Sequence, residues 1–322
     1  MMIKLNILVL KKLEDMLQNK QLTILVTRHD KIGDFITALP MCKVLKEQTG
    51  HKIVMLVSKV NVSLAQKMDF IDDVIEYSDD SFTLLSRINK IKPDVSISAF
   101  IDNHLGLCLF LARVPVRIAP ATKLAQIFFN RTLKQRRSRV EKREWEYNLD
   151  LVKQFDNNLQ LSFQKPLLKV EVEKENRVIF HVGFGGSSDG NITLDEYLKL
   201  AKEASKVCEI IFSFGPDDDV SKEYITSNLD FPAIVRDDFS SLWDFTLFIA
   251  TSKLFVSTST GPMHLAGLTN TNTLSFFGEN LFASSKRWGT ISSESCQNNF
   301  EIPKGYGEDF LKIVENRMIE LI

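Results

Sequence analysis

The chain has 322 residues, 44% of them hydrophobic and 25% charged, with a formal net charge of −1. That length suggests two domains whose cores need no disulfide or metal staple. The near-zero charge excludes whole-molecule attraction to nucleic acid or to an acidic membrane and leaves only local patches.

The four cysteines, Cys42, Cys108, Cys208 and Cys296, stand far apart and form no CxxC pair. They read as free thiols in a reducing cytoplasm rather than a zinc site or disulfide framework. At the N-terminus the unbroken apolar run, residues 7–10, is too short for a signal peptide or a spanning helix. Leu10, Leu13, Met16 and Leu17 fall near helical spacing. A short amphipathic leader helix over residues 1–21 is therefore expected, packed on its own domain, with peripheral membrane contact as the alternative.

From there, strand-like apolar runs alternate with helical segments, the mark of a parallel α/β sheet. Strands are expected at residues 22–27, 52–57, 73–77, 95–98 and 117–119. Helices are expected at 35–49, 62–68, 82–91, 106–112 and 144–155, with Pro40 kinking the first or delaying its regular part. Residues 159–175 read as an extended linker. The grammar then restarts, with strands at 177–181, 209–214, 233–235, 254–257 and 273–277. Its helices fall at 193–206, 220–228, 241–250, 262–268 and 309–322. Two open α/β halves place ligands outside the carboxyl ends of their strands. The loops after residues 27, 181, 214 and 257 should therefore face one site.

Three of those loops carry motifs. The first, Arg28-His29-Asp30-Lys31-Ile32-Gly33-Asp34, follows a buried strand and opens a helix. Asp34 stands where a helix N-cap would, so a plain capping role explains it as well as a catalytic one. The loop is neither a GxGxxG nor a GxxxxGK[ST] sequence. The second, His181 to Asn191, offers four glycines and two serines, Ser187 and Ser188, at a strand-to-helix turn. Backbone N–H groups and hydroxyls there suit an anion, although any flexible loop would look the same. In the third, Ser259-Thr260-Gly261-Pro262-Met263-His264 follows a strand. Pro262 stands at the first helical position, and Thr260, the N–H of Gly261 and His264 can converge on an oxyanion.

Together these motifs resemble the ADP-heptose:lipopolysaccharide heptosyltransferases of glycosyltransferase family 9, over about residues 22–290. The resemblance rests on Ile32-Gly33-Asp34 with Ala38-Leu39-Pro40, on Thr260 to Ala266 without a gap, and on Phe276-Phe277-Gly278. It implies an α/β protein of GT-B architecture, two Rossmann-like domains with parallel sheets facing a central cleft. Residues 22–160 would form the acceptor domain, 161–175 the linker and 176–322 the nucleotide-sugar domain. It implies an inverting transfer without metal or other cofactor, with Asp34 as general base. Gly183, Ser187, Ser188, Ser259, Thr260, Gly261, Pro262, Met263 and His264 would hold the donor. Asp217, in the Asp217-Asp218-Asp219 run, would meet the nucleotide ribose, unless that run is a solvated helix-capping cluster.

Two departures bear on the donor. A lysine usual in the family before the helix after the second motif is replaced, in the stretch Gly190-Asn191-Ile192, by no cation. Lys31, Arg28 or Lys286 would have to substitute. Ser259 stands where the family usually has aspartate near the donor sugar.

Residues 131–143 are strongly basic, with Glu141 their only acid. A solvated loop would look the same, but a dock for an acidic glycolipid fits an acceptor domain. Arg28, Lys31, Arg117, Arg131, Arg136 and Arg137 are the expected acceptor contacts. No aromatic platform accompanies the patch, which speaks against nucleic acid. The expected protein is a cytoplasmic enzyme, with peripheral contact at the cytoplasmic face of the inner membrane as an alternative. It would move a heptose from ADP-heptose to a glycolipid. The alternatives are a sugar-nucleotide epimerase or hydrolase on the same scaffold, and a non-catalytic sugar-nucleotide binder.

Overall fold

A computed structural model describes residues 20–183 and 190–322. The expected leader helix and Ser187 and Ser188 lie outside the described residues. The chain forms two compact units. The first comprises the chain up to Arg137 together with Glu144–Phe163, and the second Ser138–Arg143 with Gln164–Ile322.

The first unit is built on six parallel strands: β1 (Thr23–Arg28), β2 (Lys52–Val57), β3 (Asp73–Glu76), β4 (Val95–Ser98), β5 (Val116–Pro120) and β6 (Arg131–Leu133). Their order across the sheet is β3-β2-β1-β4-β5-β6. Its helices are α1 (Ile32–Thr49), the short α2 (Val62–Ala65), α3 (Ser81–Ile91), α4 (Asn103–Leu111) and α5 (Glu144–Asp150). The central strands are continuous apolar runs because both faces of a parallel sheet are covered. Leu25, Val54 and Leu56 are fully buried, and each such side chain contributes about 1.5–3 kcal/mol. The helix α1 runs on through Pro40, which neither ends nor delays it, and buries an unbroken stretch from Phe35 to Cys42.

The second unit repeats the plan with β7 (Arg177–His181), β8 (Glu209–Ser213), β9 (Ile234–Arg236), β10 (Leu254–Thr258), β11 (Asn272–Gly278) and β12 (Gln297–Ile302). Their order is β12-β11-β10-β7-β8-β9. Numbered within the unit, this is the order of the first sheet, so both units have one topology. Its helices are α6 (Leu194–Ala204), α7 (Asp219–Asn228), α8 (Leu242–Thr251), α9 (Gly261–Leu268), the short α10 (Ser285–Trp288) and α11 (Glu308–Leu321). A Thr193–Glu196 capping box opens α6. In each sheet the strand order reverses between the first and fourth strands, β1 beside β4 and β7 beside β10. Ligands of open α/β sheets bind at such switch points. All three sequence motifs follow a strand that borders one of them.

Candidate active site

In the first unit β1 delivers Arg28 at its carboxyl end, and α1 begins at Ile32. The N-cap is Lys31, in extended backbone and without a side-chain cap bond. Asp34 is therefore not the cap expected from the sequence. It is the third helical residue, and the first helical bond, Phe35 N–H to Lys31 carbonyl at 2.9 Å, forms ahead of it. The carboxylate thus stands inside the first turn rather than at the cap.

It faces Arg28 instead. That guanidinium donates to Asp34 Oδ1, to Asp30 Oδ1 at 2.7 Å and to the Ala99 carbonyl at 3.2 Å. Its side chain is 5% exposed and that of Asp34 17%. Burial pushes the Asp34 carboxyl up to about 6; Arg28 pulls the other way, and Asp30 and Glu144 add to the rise. Burial alone would lower Arg28, but Asp34 and Asp30 together hold it above its ordinary value. The result is a carboxyl that is ionised at neutral pH and ready to take a proton nearby.

A second layer fixes α1. Thr37 Oγ1 donates to the Asp34 carbonyl at 2.7 Å, and Asn148 Nδ2 on α5 donates to Thr37 Oγ1 at 3.0 Å. Asn148 accepts from Arg137 at 3.1 Å, and Arg137 also pairs with the buried Glu144. On the other side, His29 Nε2 lies 2.7 Å from Asp102 Oδ2, the N-cap of α4 after β4. The His29 ring stacks on Tyr77 at 4.1 Å. Thus the carboxyl ends of β1, β3 and β4 converge on the loop. His29, Asp30, Asp102 and Glu144 were not among the residues singled out from sequence. Asp30 could have been, from its closeness in sequence to Arg28 and Asp34. Asp102 and Glu144 are brought in only by the fold.

The expected acceptor contacts part company. Arg117 is half-buried and donates to the Phe128 carbonyl at 2.6 Å; burial lowers its pKa. Arg131 lies in β6 and donates to the Gln154 carbonyl at 2.7 Å. With Arg28 and Arg137, these are held by the unit's own acceptors, while Lys31 and Arg136 are exposed. The basic stretch is also divided. Ser138–Arg143 belong to the second unit, where Arg143 pairs with Glu294 at 2.9 Å.

In the second unit, β10 ends in Thr258, and Thr260 caps α9 from extended backbone without using its side chain for the cap. Its hydroxyl sits 3.4 Å from the Thr258 carbonyl. The first N–H groups of α9 are those a helix cannot satisfy internally. Ser259 is held by its own N–H to the Phe276 carbonyl at 2.9 Å. Met263 is fully buried, so only its backbone is available. His264 is buried, and burial drops its pKa to about 4. The ring is therefore neutral, and its Nδ1 has no partner among the described residues.

After β7, a Cβ on Gly183 would stand 2.1 Å from Asp218 Oδ2. Asp218 is 10% exposed, accepts the Gly215 N–H at 2.7 Å and lies 3.8 Å from His181 Nε2. Asp217, the expected ribose contact, is exposed one residue earlier. The acid that closes over the end of β7 is therefore Asp218. Gly190 explains the absent lysine. A Cβ there would meet backbone atoms of Phe277 and Gly278 at 2.3 Å, and its carbonyl accepts from Thr258 Oγ1 at 2.7 Å. Lys286 is exposed. Among the described residues no three His, Cys, Asp or Glu side chains form a metal-binding group, and no helix is long and apolar enough to cross a membrane.

No family model matches the chain. It is 34% identical over 312 residues to a Haemophilus influenzae protein named "Putative glycosyltransferase", covering 88% of this chain and 90% of that one. Three solved structures share its fold. A glycosyl transferase family 9 protein of Veillonella parvula superposes with a TM-score of 0.76 at 14% identity, over 93% of this chain and 95% of that one. The Escherichia coli ADP-heptose lps heptosyltransferase II gives 0.75 at 16%, over 93% and 97%. The Escherichia coli heptosyltransferase WaaC with ADP gives 0.73 at 15%, over 93% and 100%.

Proposed function

Since this chain belongs to the glycosyltransferases, and its fold is that of the heptosyltransferase-like enzymes of family 9, we propose that it is an inverting, metal-independent GT-B enzyme. Its donor is a nucleotide sugar, ADP-heptose foremost, as the names of its structural relatives suggest. Its acceptor is a hydroxyl of a glycolipid such as the lipopolysaccharide core, met at the cytoplasmic face of the inner membrane.

One observation carries this reading: a carboxylate at the β1 switch point, raised to about 6 and gripped by a buried arginine. In the step it supports, the acceptor oxygen bonds to the anomeric carbon from the face opposite the nucleotide. The bond from that carbon to the diphosphate oxygen breaks, the hydroxyl proton passes to Asp34, and the configuration inverts. Thr260, the free N–H groups of α9 and the neutral His264 hold the departing diphosphate by hydrogen bonds and helix dipole, with Ser187 and Ser188 assisting. Asp218 is the better candidate for the nucleotide ribose, because it is turned toward Gly183 whereas Asp217 is exposed.

The test is Asp34→Asn. Transfer should fall by about a thousandfold, within the usual range for removing a general base, while nucleotide affinity stays within about threefold, under 1 kcal/mol. Undiminished turnover would remove Asp34 from the mechanism. A thermal-shift panel of ADP-, UDP-, GDP- and CMP-linked sugars identifies the donor, with ADP-linked sugars expected to stabilise most.

A further inference from the structure

The first unit leaves one apolar surface uncovered. Helix α4 buries Leu105, Cys108 and Leu109 on one side, yet its other side carries Leu107, Phe110 and Leu111, all exposed. Those three are spaced i, i+3 and i+4, which puts them on one stripe. A helix apolar on both sides is expected to be covered on both. Beside it packs the 3-10 turn Leu124–Phe128. Gly106 of α4 is small enough to admit Phe128, toward which a Cβ would come within 2.8 Å. In a 3-10 turn, residues i and i+3 project the same way. Here those residues are Leu124 and Ile127, 83% and 75% exposed. Scattered exposed apolar residues need no explanation, but a contiguous set on two packed elements marks a contact surface.

The charge around this surface says what it contacts. From Asn103 to Val140 the chain contains no aspartate or glutamate and eight lysines and arginines. Within the first unit, Arg113 just past the Ala112 cap of α4, Lys123 directly before the turn, Lys134 and Arg136 are exposed. The nearest acid in sequence, Asp102, is engaged by His29 and by the Leu105 N–H. An apolar patch whose own elements and connecting chain carry bases and no acid, with the exposed acid Asp80 at the His104 end of α4, suits an interface where hydrocarbon meets negative headgroups.

We propose that the outward face of α4 and the turn Leu124–Phe128 docks the enzyme on an anionic lipid bilayer. Leu107, Phe110, Leu111, Leu124 and Ile127 enter the headgroup region, and Arg113, Lys123, Lys134 and Arg136 meet the phosphates. This extends the glycolipid reading above from an acceptor to a surface, but it does not depend on Asp34 or on the donor. It does not involve the leader helix, and of residues 131–143 it uses only Lys134 and Arg136.

The experiment is co-sedimentation of the full chain with phosphatidylglycerol-containing and with pure phosphatidylcholine vesicles, in the absence of donor. The wild-type protein should bind the anionic vesicles preferentially and lose binding as salt rises. A Leu124→Glu/Ile127→Glu double variant should bind about tenfold or more weakly, since two apolar insertions become repulsive charges. Both residues are highly exposed, so its melting temperature should match the wild type. Arg113→Ala/Lys123→Ala should lower affinity and flatten the salt dependence. Equal binding of the double-Glu variant, or no preference for anionic vesicles, would overturn the proposal. A wild-type dimer that the double-Glu variant dissociates would also overturn it, by assigning the face to a second copy. Because no transfer is measured, none of these outcomes touches the assignment of the base.

Discussion

The loop that opens α1 and the loop that opens α9 are alike in architecture and opposite in electrostatics. Each follows a buried parallel strand at a switch point, and each starts its helix from an extended residue, Lys31 or Thr260, whose side chain makes no cap bond. Around the first loop the side chains are ionic: buried Arg28, half-buried Asp34 and, behind them, buried Glu144. Around the second they are hydroxyls and an uncharged imidazole: Thr258, Thr260 and His264. A proton acceptor must exist in two charge states, and an arginine beside it keeps the ionised one accessible despite burial. A bed for a ligand that brings its own negative charge needs only donors in fixed places. Under the proposed function one scaffold would serve both tasks, and the difference lies in which side chains are held at the strand ends.

The largest effect expected from this contrast is on turnover. With the Asp34 carboxyl raised to about 6, kcat/KM should climb with pH through that value and level off above it. Asp34→Asn should remove both the activity and that limb of the profile. A variant that kept the limb would show that another group titrates there.

The same residue makes a stability prediction. A carboxyl whose pKa is higher in the folded state, about 6 against 3.8 unfolded, binds more protons folded than unfolded between those values. Stability therefore falls as pH rises through that window, and the full cost is present above about 6. The cost is on the order of 3 kcal/mol at about 1.4 kcal/mol per pKa unit. Asp34→Asn should thus melt higher than the wild type at pH 8, with the gain shrinking toward pH 4. No gain at pH 8 would mean that Arg28 fully compensates the buried charge.

Beside the second loop, where Thr258 Oγ1 donates to the carbonyl of Gly190 in the turn after β7, no side chain fits at position 190. Gly190→Ala pushes a Cβ against the backbone of Phe277 and Gly278, so neither partner can yield by a rotamer change. A loss of about 2 kcal/mol is expected, as for other overpacked sites, and Gly190→Lys should not restore a phosphate-binding cation. Denaturant melts of both variants check this. Unchanged stability, or tighter nucleotide binding by the lysine variant, would reopen the position to a charged residue and weaken the contrast.

Much of this was legible in the sequence, and what was not has physical causes. Ten of the twelve strands among the described residues could be placed: eight are interior and read as apolar runs, as in ILVT before Arg28, and the edges β3 and β9 still carry an apolar pair. The two missed strands, β6 (RTL) and β12 (QNNFEI), are the outermost on their side of each sheet. Unlike the opposite edges β3 and β9, which keep a Val-Ile or Ile-Val pair, these two carry no apolar pair, so one looked like a basic loop and the other like no element. The start of α1 was misplaced because Asp34 has the chemistry of a cap, and only the backbone shows that Lys31 occupies that position. Contacts within one loop, such as Arg28 with Asp30 and Asp34, could be inferred from spacing. The pairing of His29 with Asp102 spans 73 residues and depends on β1 lying beside β4. The reason for Gly190 lies wholly in the backbone of β11, which no local pattern reveals.

The smallest expected effect is a flat line, and it bears directly on the second loop. His264 sits in the first turn of α9, where histidine could serve as a cation for a diphosphate. Burial instead lowers its pKa to about 4, so the ring in the ligand-free protein is neutral at every pH where the enzyme would work. The sign follows from the direction of the shift. The unfolded histidine binds a proton near its ordinary value of about 6.5 while the folded one does not, so this group costs stability only as pH falls below that value. The ring proton resonance of His264, assigned by its loss in His264→Gln, should therefore not move between pH 5.5 and 9, a range that is on the order of a unit or more above the folded value. A titration centred near the ordinary histidine value would place a positive charge in this bed. The two loops would then differ in the sign of a buried charge rather than in its presence, and the diphosphate would be held by ion pairing instead of by oriented donors.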